Sequence, residues 1–387
     1  MINFEDTKAA FEHKSNWELR KAHYLFSILQ NSFFVKIGSL LLKISFFLRI
    51  PIKKLIKLTI FNQFCGGENI HDCSKKINEL YEFGIGTILD YSIEGKENEY
   101  DFKKTKEEII QTILFSANNN KIPFTVFKIS GLGKSSLIEK ASLDFQNLSH
   151  NELVELNLVA MRVDEICKVA CEKKVSVFVD AEESCYQDYI DQVVETMIFK
   201  YNDEFPIVYN TIQLYRNDRL QYMKDLISSC NSNRKYIGLK LVRGAYMEKE
   251  REQAAKRNYV DPIQKDKQAT DNDFNKAVEF CIENVDNVSL CAGTHNEKSV
   301  LHLTDLMNKK SLKNNDSRIW FAQLLGMSDH ISFNLSKEGY NVAKYVPYGP
   351  VKEVIPYLIR RAEENTSVSG QTGRELSLIK IEVENRN

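Results

Sequence analysis

Residues 236–246 read Tyr-Ile-Gly-Leu-Lys-Leu-Val-Arg-Gly-Ala-Tyr, an apolar run from Ile237 to Val242 that gives way at once to a charge and a glycine. Six residues are too few for an ordinary helix. The abrupt glycine stop reads as the end of a strand covered on both faces. Similar runs recur along the chain, at Gly86–Tyr91, Phe124–Ile129, Ser176–Ala181, Ile207–Ile212, Val288–Gly293, Arg318–Gln323 and Val342–Val346. Helix-like stretches such as Asn151–Glu172 and Asp271–Asn284 separate them. Strands alternating with helices imply parallel βα units. About eight units over roughly 280 residues suit an α/β fold of the (β/α)8 TIM-barrel type. Periodicity alone is also compatible with an open doubly wound sheet.

In such a barrel the chemistry sits at the C-terminal ends of the strands. Polar residues gather there: Asp90 and Glu94, Lys128, Asp180 with Glu182 and Glu183, Gln213, Lys240 and Arg243, Thr294-His295-Asn296, and Lys344-Tyr345. A stable barrel requires none of them. The last helix is expected over Val351–Asn365, with Pro356 bending its early part. Tyr357, Arg360, Arg361 and Glu364 fall on one face of it, and Val354, Leu358 and Ala362 on the other. Two guanidiniums beside Tyr and Glu form an anion receptor matched to a carboxylate, or else a solvated charged face.

Composition narrows the rest. The 387 residues carry a formal charge of −1 and are 43% hydrophobic, which speaks against both disorder and a nucleic-acid partner. Residues 19–67 hold no acid but eight cations, among them Arg20, Lys21, Lys36, Lys53, Lys54 and Lys57, set between aromatics such as Phe33 and Phe34. This arm is read either as a helix on an anionic membrane surface or as a helical arm packed on the barrel. The eight cysteines make no C-x-x-C pair and read as reduced thiols. The acidic, non-apolar start fits neither a secretory signal nor a transit peptide, so a bacterial cytoplasm, with peripheral membrane contact through the arm, is expected. Gly131-Leu132-Gly133-Lys134-Ser135 imitates a phosphate loop, but Lys128 stands where the motif needs glycine. The seven histidines show no metal spacing, and no metal is expected.

Several stretches together resemble the proline dehydrogenase family in its monofunctional form. They are Thr125-Val126-Phe127-Lys128, Asp180-Ala181-Glu182-Glu183, the run KLVRGAYMEKERE from Lys240 to Glu252, Thr294-His295-Asn296, FAQLLGM from Phe321 to Met327, and KYVPYGPVKEVIPYLIRRAEEN from Lys344 to Asn365. The likeness covers about residues 85–375 and implies a distorted (β/α)8 barrel holding FAD. It suggests an N-terminal helical arm over 1–84, the barrel over 85–375 and a tail over 376–387.

The resemblance also implies roles. Arg360 and Arg361 match the pair that binds the proline carboxylate. Lys128, Asp180, Tyr345 and Tyr357 match the substrate pocket, and with the arginines supply the catalytic set of Lys128, Asp180, Tyr345, Arg360 and Arg361. Leu241 and Tyr246 wall the pocket, and Glu94 pairs with one arginine. FAD is expected on Gln213, Lys240, Val242, Gly244, Ala245, Lys267, Thr270, Thr294, His295, Asn296 and Glu364. Lys240 and Met247 depart from bifunctional relatives, which carry Arg and a bulky aromatic there. Tyr345 crowds a 4-hydroxyl group, which favours L-proline over hydroxyproline. The implied reaction moves a hydride from proline C5 to flavin N5 and gives 1-pyrroline-5-carboxylate. Electrons then pass to a quinone, and a separate 1-pyrroline-5-carboxylate dehydrogenase acts next. A dehydrogenase of hydroxyproline or another cyclic amino acid on the same flavin barrel, and a non-catalytic membrane-associated proline sensor or scaffold, are the alternatives.

Overall fold

The structure, a computed structural model, describes residues 2–47, 52–92, 97–367 and 371–387. Each apolar run becomes a strand: β1 Ile85–Tyr91, β2 Phe124–Phe127, β3 Ser176–Val179, β4 Val208–Gln213, β5 Ile237–Val242, β6 Val288–Gly293, β7 Ile319–Leu324 and β8 Val342–Tyr348. They close into a barrel in sequence order. Closure settles the alternative of an open sheet. Neighbouring strands run parallel, with Ile88 opposite Tyr345, Gln213 opposite Val242 and Lys240 opposite Cys291. Strand interiors are buried because helices cover the outer face and side chains fill the inner one. Two strands stop earlier than the apolar runs, β2 because Lys128 leads into a 3₁₀ turn, Ile129–Gly131, and β3 because the chain leaves the sheet at Asp180.

The chain divides into two compact units, residues 95–322 and residues 1–94 with 323–387. In the first, the lower ends of the strands are plugged by aromatic rings. Phe124 stacks on Phe178 at 4.4 Å, and Tyr209 and Trp320 meet Phe124 edge-on at 5.5 and 5.3 Å. Such packing makes the strands rigid supports for whatever their upper ends carry.

In the second unit the arm and the chain's end share one core. Ala22, Phe26, Leu29, Val35, Ile56, Phe61 and Phe64 cluster with Val354, Tyr357, Leu358 and Ala362 and with Leu378 and Ile379. Residues 376–387, expected as a tail, lie mostly in a helix, Gln371–Asn385, whose buried Leu378 and Ile379 make it part of that core. The arm comprises the helices Asn16–Leu29 and Ser32–Phe47 and a short helical stretch that widens into a π-turn, Lys57–Phe61. Ser15 and Glu18 form a capping box at its start, satisfying two backbone donors. One arm face is thus packed. The other leaves Trp17, Tyr24, Ile28, Phe33, Phe34, Leu41, Leu55 and Leu58 exposed. All eight cysteines are unpaired, and all but Cys171 are buried.

The closing helix begins at Ile355, not Val351, and runs to Ser367. Residues 351–354 form turns instead. Pro356 therefore occupies the first helical turn, where its missing N–H would have no partner and no bend is needed.

Candidate active site

β5 ends at Val242, just before Arg243 and Gly244. Lys240 is buried and pairs with Asp180, which follows β3, through a short ion pair. Its ammonium lies 5.4 Å from the Phe178 ring. Burying one charge alone is costly, so each partner fixes the other. Lys128, half-buried, follows β2, and the Asp180 N–H donates to Phe127 O at 2.9 Å. Gln213 ends β4; its Oε1 is buried with no partner among the described residues. Leu241 is fully buried, whereas Tyr246 is half-buried.

After Val242 the chain turns through Gly244 at φ +135°, a conformation that suits glycine. A Cβ there would stand 2.4 Å from the Tyr215 ring, so no larger residue fits. Gly244 and Ala245 are exposed. The helix that follows, Met247–Arg257, is held down on the loop after β3. Glu250, 1% exposed, accepts from the Ser184 N–H at 2.6 Å and from its hydroxyl. Glu183 accepts from Lys249 at 2.5 Å and from Gln253 at 3.0 Å.

Arg243 is conspicuous in the sequence only as a strand-end charge. It donates to Asp271 at 2.7 Å, Thr294 at 2.6 Å and Ser299 at 2.9 Å, and its guanidinium lies 4.4 Å from the Phe274 ring. It thereby ties β5 to the loop after β6 and to the helix Lys267–Glu283. Burial pulls its pKa below the usual value, and Asp271 opposes that. Burial acts to raise the Asp271 pKa, but hydrogen bonds from Lys267 and Arg243 hold it below the usual range. The sequence signal for this role was slight: a single Arg between a strand and a Gly-Ala turn.

The candidate cofactor residues are brought together unevenly. Thr294, buried, also accepts the Asn296 N–H at 3.1 Å. Asn296 caps the helix Glu297–Lys309 through its side-chain oxygen, so that atom is already used. Lys267 is 67% exposed and pairs with Asp271 at 2.7 Å. Thr270 is buried, and His295 and Val242 are half-buried. Lys240, Gln213 Oε1 and the exposed Gly244-Ala245 backbone supply a cation, a buried acceptor and peptide groups at the upper ends of adjacent strands. That donor set could hold a polar, ring-bearing cofactor. The imitation phosphate loop has other duties: Lys134 pairs with Glu155 at 2.8 Å, and the Ser130 N–H donates to Glu182 at 2.9 Å.

In the other unit, Tyr345 lies half-buried in β8, while Tyr357, Arg360 and Arg361 share the closing helix. The Arg361 guanidinium is 5.1 Å from the Tyr357 ring. Arg361 and Tyr357 are buried and Arg360 half-buried. The expected split into a polar and an apolar face is incomplete, since Val354, Leu358 and Ala362 are buried as well. Helices crowd this segment from more than one side. Glu94 and the side chain of Glu364 lie outside the described residues.

The chain is a closed parallel barrel of eight strands, with an ion pair between Asp180, after β3, and Lys240, in β5. The proline dehydrogenase family model matches residues 73–374, and the chain belongs to that family. It is 33% identical to a mitochondrial proline dehydrogenase 1 of Dictyostelium discoideum over 87% of this chain and 66% of that protein. It is 29% identical to a hydroxyproline dehydrogenase of Xenopus laevis over 100% of this chain and 90% of that one. Among solved structures, proline utilization A from Bdellovibrio bacteriovorus superposes with a TM-score of 0.74 at 18% identity, over 93% of this chain and 38% of that one. That likeness concerns the fold. The chain spans just under two thirds of the Dictyostelium protein and little more than a third of the Bdellovibrio one.

Proposed function

We propose that this chain oxidises L-proline to 1-pyrroline-5-carboxylate with FAD as hydride acceptor. The observation that carries the reading is the pair Arg360 and Arg361 on the closing helix of a barrel whose family is proline dehydrogenase. Two adjacent guanidiniums suit a single carboxylate, each charge-assisted hydrogen bond contributing about 1.5–3 kcal/mol. Holding the carboxylate aligns the ring carbon that loses the hydride, which is a positioning effect. Glu94 is assigned as the acid beside one arginine. Tyr357 supports the Arg361 guanidinium as a cation–π partner. Lys128 favours the neutral ring amine, because a like charge disfavours an ammonium, and only the neutral amine has a lone pair to drive hydride loss. Asp180 and Lys240 act as a pair that fixes the upper ends of β3 and β5.

FAD, when bound, would supply the hydride-accepting ring. Family kinship and the unpartnered Gln213 Oε1 fit a flavin here. Lys240, Val242, Gly244, Ala245, Thr270, Thr294, His295 and Glu364 complete the proposed set. Lys267 and Asn296 are weaker members, since each is engaged within the protein.

By kinship with the family, Tyr345 would crowd a 4-hydroxyl group, which makes proline the preferred substrate. The alternative, hydroxyproline, draws support from the Xenopus relative. Electrons leave for a membrane quinone, and the product goes to a separate 1-pyrroline-5-carboxylate dehydrogenase. No described helix is long and apolar enough to cross a membrane. The exposed aromatic face of the arm, flanked by Arg20, Lys21, Lys36 and Lys54, suits an anionic bilayer surface on the cytoplasmic side of a bacterial membrane.

The test is turnover of purified, flavin-loaded protein with a soluble quinone, comparing L-proline with 4-hydroxyproline. Formation of a product two hydrogens lighter than proline, with proline the better substrate, supports the reading. Preference for 4-hydroxyproline would transfer the assignment to the alternative.

A further inference from the structure

Lys344 lies in β8, directly before Tyr345, with no exposed surface. The outward positions of a barrel strand are ordinarily apolar, because they pack beneath helices. A buried ammonium is costly there, and an apolar residue of similar volume often serves stability as well or better. Lys344 is nevertheless fully engaged: its Nζ is 2.9 Å from Asp329 Oδ1 and donates to Met327 O at 2.6 Å.

What it holds is the turn after β7 and the first residue of the helix that follows, Asp329–Lys337. Gly326 and Ser328 take positive φ values of 73° and 51°. The second is a conformation a side-chain-bearing residue adopts at a cost, and surrounding contacts must maintain it. They come from three directions. Gln63 of the arm donates to Gly326 O at 3.0 Å, and a Cβ on Gly326 would stand 2.1 Å from Gln63 O. Glu375 of the terminal helix accepts the Ser328 N–H at 2.8 Å. Lys344 holds Met327. The turn also touches the proposed substrate residues of this unit, since the Leu325 N–H donates to Tyr345 O at 2.9 Å. Met327 lies in the same apolar cluster as Val354 and Tyr357 at the start of the closing helix.

Asp329 has a second cation. Lys14, at the start of the arm, donates to its Oδ2 at 2.9 Å. The neighbouring His13 stacks on Phe333 at 3.9 Å, with its Nε2 3.5 Å from the same carboxylate oxygen. One buried carboxylate thus bridges the arm and β8. The cations hold Asp329 ionised against the burial that acts to protonate it.

We propose that Lys344 is a positioning residue: through Asp329 and the carbonyl of Met327 it fixes the turn after β7, and with it Tyr345, and Lys14 completes the clamp from the arm. The inference rests on the proline dehydrogenase reading of Tyr345. It makes the arm part of the device that sets substrate affinity and selectivity.

The experiment uses the full-length, flavin-loaded chain with Lys344→Met, Lys344→Arg, Lys14→Met and the double variant Lys14→Met/Lys344→Met. Lys344→Met is expected to raise KM for L-proline about tenfold with a smaller change in kcat, equivalent to ~1.4 kcal/mol. It should also narrow the ratio of kcat/KM between proline and 4-hydroxyproline, since Tyr345 is the residue displaced. Lys344→Arg should recover most of both. Lys14→Met should shift KM in the same direction but less, and the double variant should fall short of the product of the singles, because both cations share one carboxylate. A folded Lys344→Met protein with a lower melting temperature but unchanged KM and selectivity would reduce Lys344 to an anchor and overturn the proposal. Should Lys344→Met not fold, Lys14→Met decides: an unchanged KM and selectivity there overturns it equally. Failure of the wild-type flavin to be reduced by proline would instead count against the function, which keeps the two failures apart.

Discussion

Arg243 and Asp180 illustrate what single residues disclosed. Their types were legible, a charge at a strand end being conspicuous where the fold needs none. Their partners were not: Asp180 and Lys240 are 60 positions apart, and Arg243 reaches Thr294 across 51, so only the folded sheet brings them together. Arg243 makes three side-chain hydrogen bonds to two βα segments, so Arg243→Ala should lower the FAD retained after gel filtration. Arg243→Lys should restore little, because an ammonium cannot reproduce the planar fork. A variant as fully flavinated as wild type would dissociate Arg243 from the cofactor. For the substrate, Arg360→Ala should raise KM for L-proline about 10- to 150-fold, the equivalent of ~1.5–3 kcal/mol, while FAD stays bound. Unchanged proline kinetics would remove the carboxylate assignment. The roles given to Glu94 and Glu364 come from the resemblance, and Glu94 and the side chain of Glu364 lie outside the described residues.

Among the elements, the strands were easiest to read, since each is a short apolar run bounded by polar or glycine residues. The expected closing helix, Val351–Asn365, starts four residues earlier than the observed one, Ile355–Ser367. The chain makes turns first, and Pro356 takes the position in the first turn that proline tolerates. The arm admits two readings, on a membrane surface or packed on the barrel, for a physical reason: its helices are apolar on more than one side. Phe26, Leu29 and Val35 enter the core, whereas Phe33 and Phe34 are 63% and 53% exposed. Sequence cannot say which apolar stripe a neighbouring helix will cover. The exposed stripe carries a prediction. Phe33→Glu with Phe34→Glu should abolish co-sedimentation with vesicles of anionic lipid and leave turnover of proline with a soluble quinone within about twofold, since surface substitutions away from a site are usually worth less than ~0.5 kcal/mol. Vesicle binding equal to wild type would exclude this face as the bilayer contact. Raised salt should weaken binding of the wild type, as it does any attraction between a basic surface and anionic lipid.

At the scale of the molecule, the order of apolar runs was enough to anticipate a barrel, and closure supplied what periodicity lacked. The joining of the chain's two ends was not legible, because it rests on contacts such as Lys14 with Asp329 and Thr7 with Glu382, more than 300 residues apart. The seam has a pH signature. His13 is half-buried against Phe333 beside Lys14, with Asp329 and Lys344 in the same cluster. Burial and the Lys14 charge lower its pKa to about 4, outweighing Asp329. The unfolded chain, with histidine near its ordinary value, binds the proton more readily. The neutral His13 therefore contributes stability that is fully present above about pH 6.5 and is lost as pH falls toward 4. The melting temperature should drop over that interval, and His13→Phe should flatten the drop; an equal drop in the variant would place the effect elsewhere.

Hydride transfer from proline to a flavin held by this barrel is read from the visible spectrum of the purified, flavin-reconstituted chain before and after anaerobic addition of L-proline. The protein should be yellow, and its flavin band should bleach with proline. A chain that takes up no flavin, or a bound flavin that stays oxidised in excess proline, would exclude that transfer.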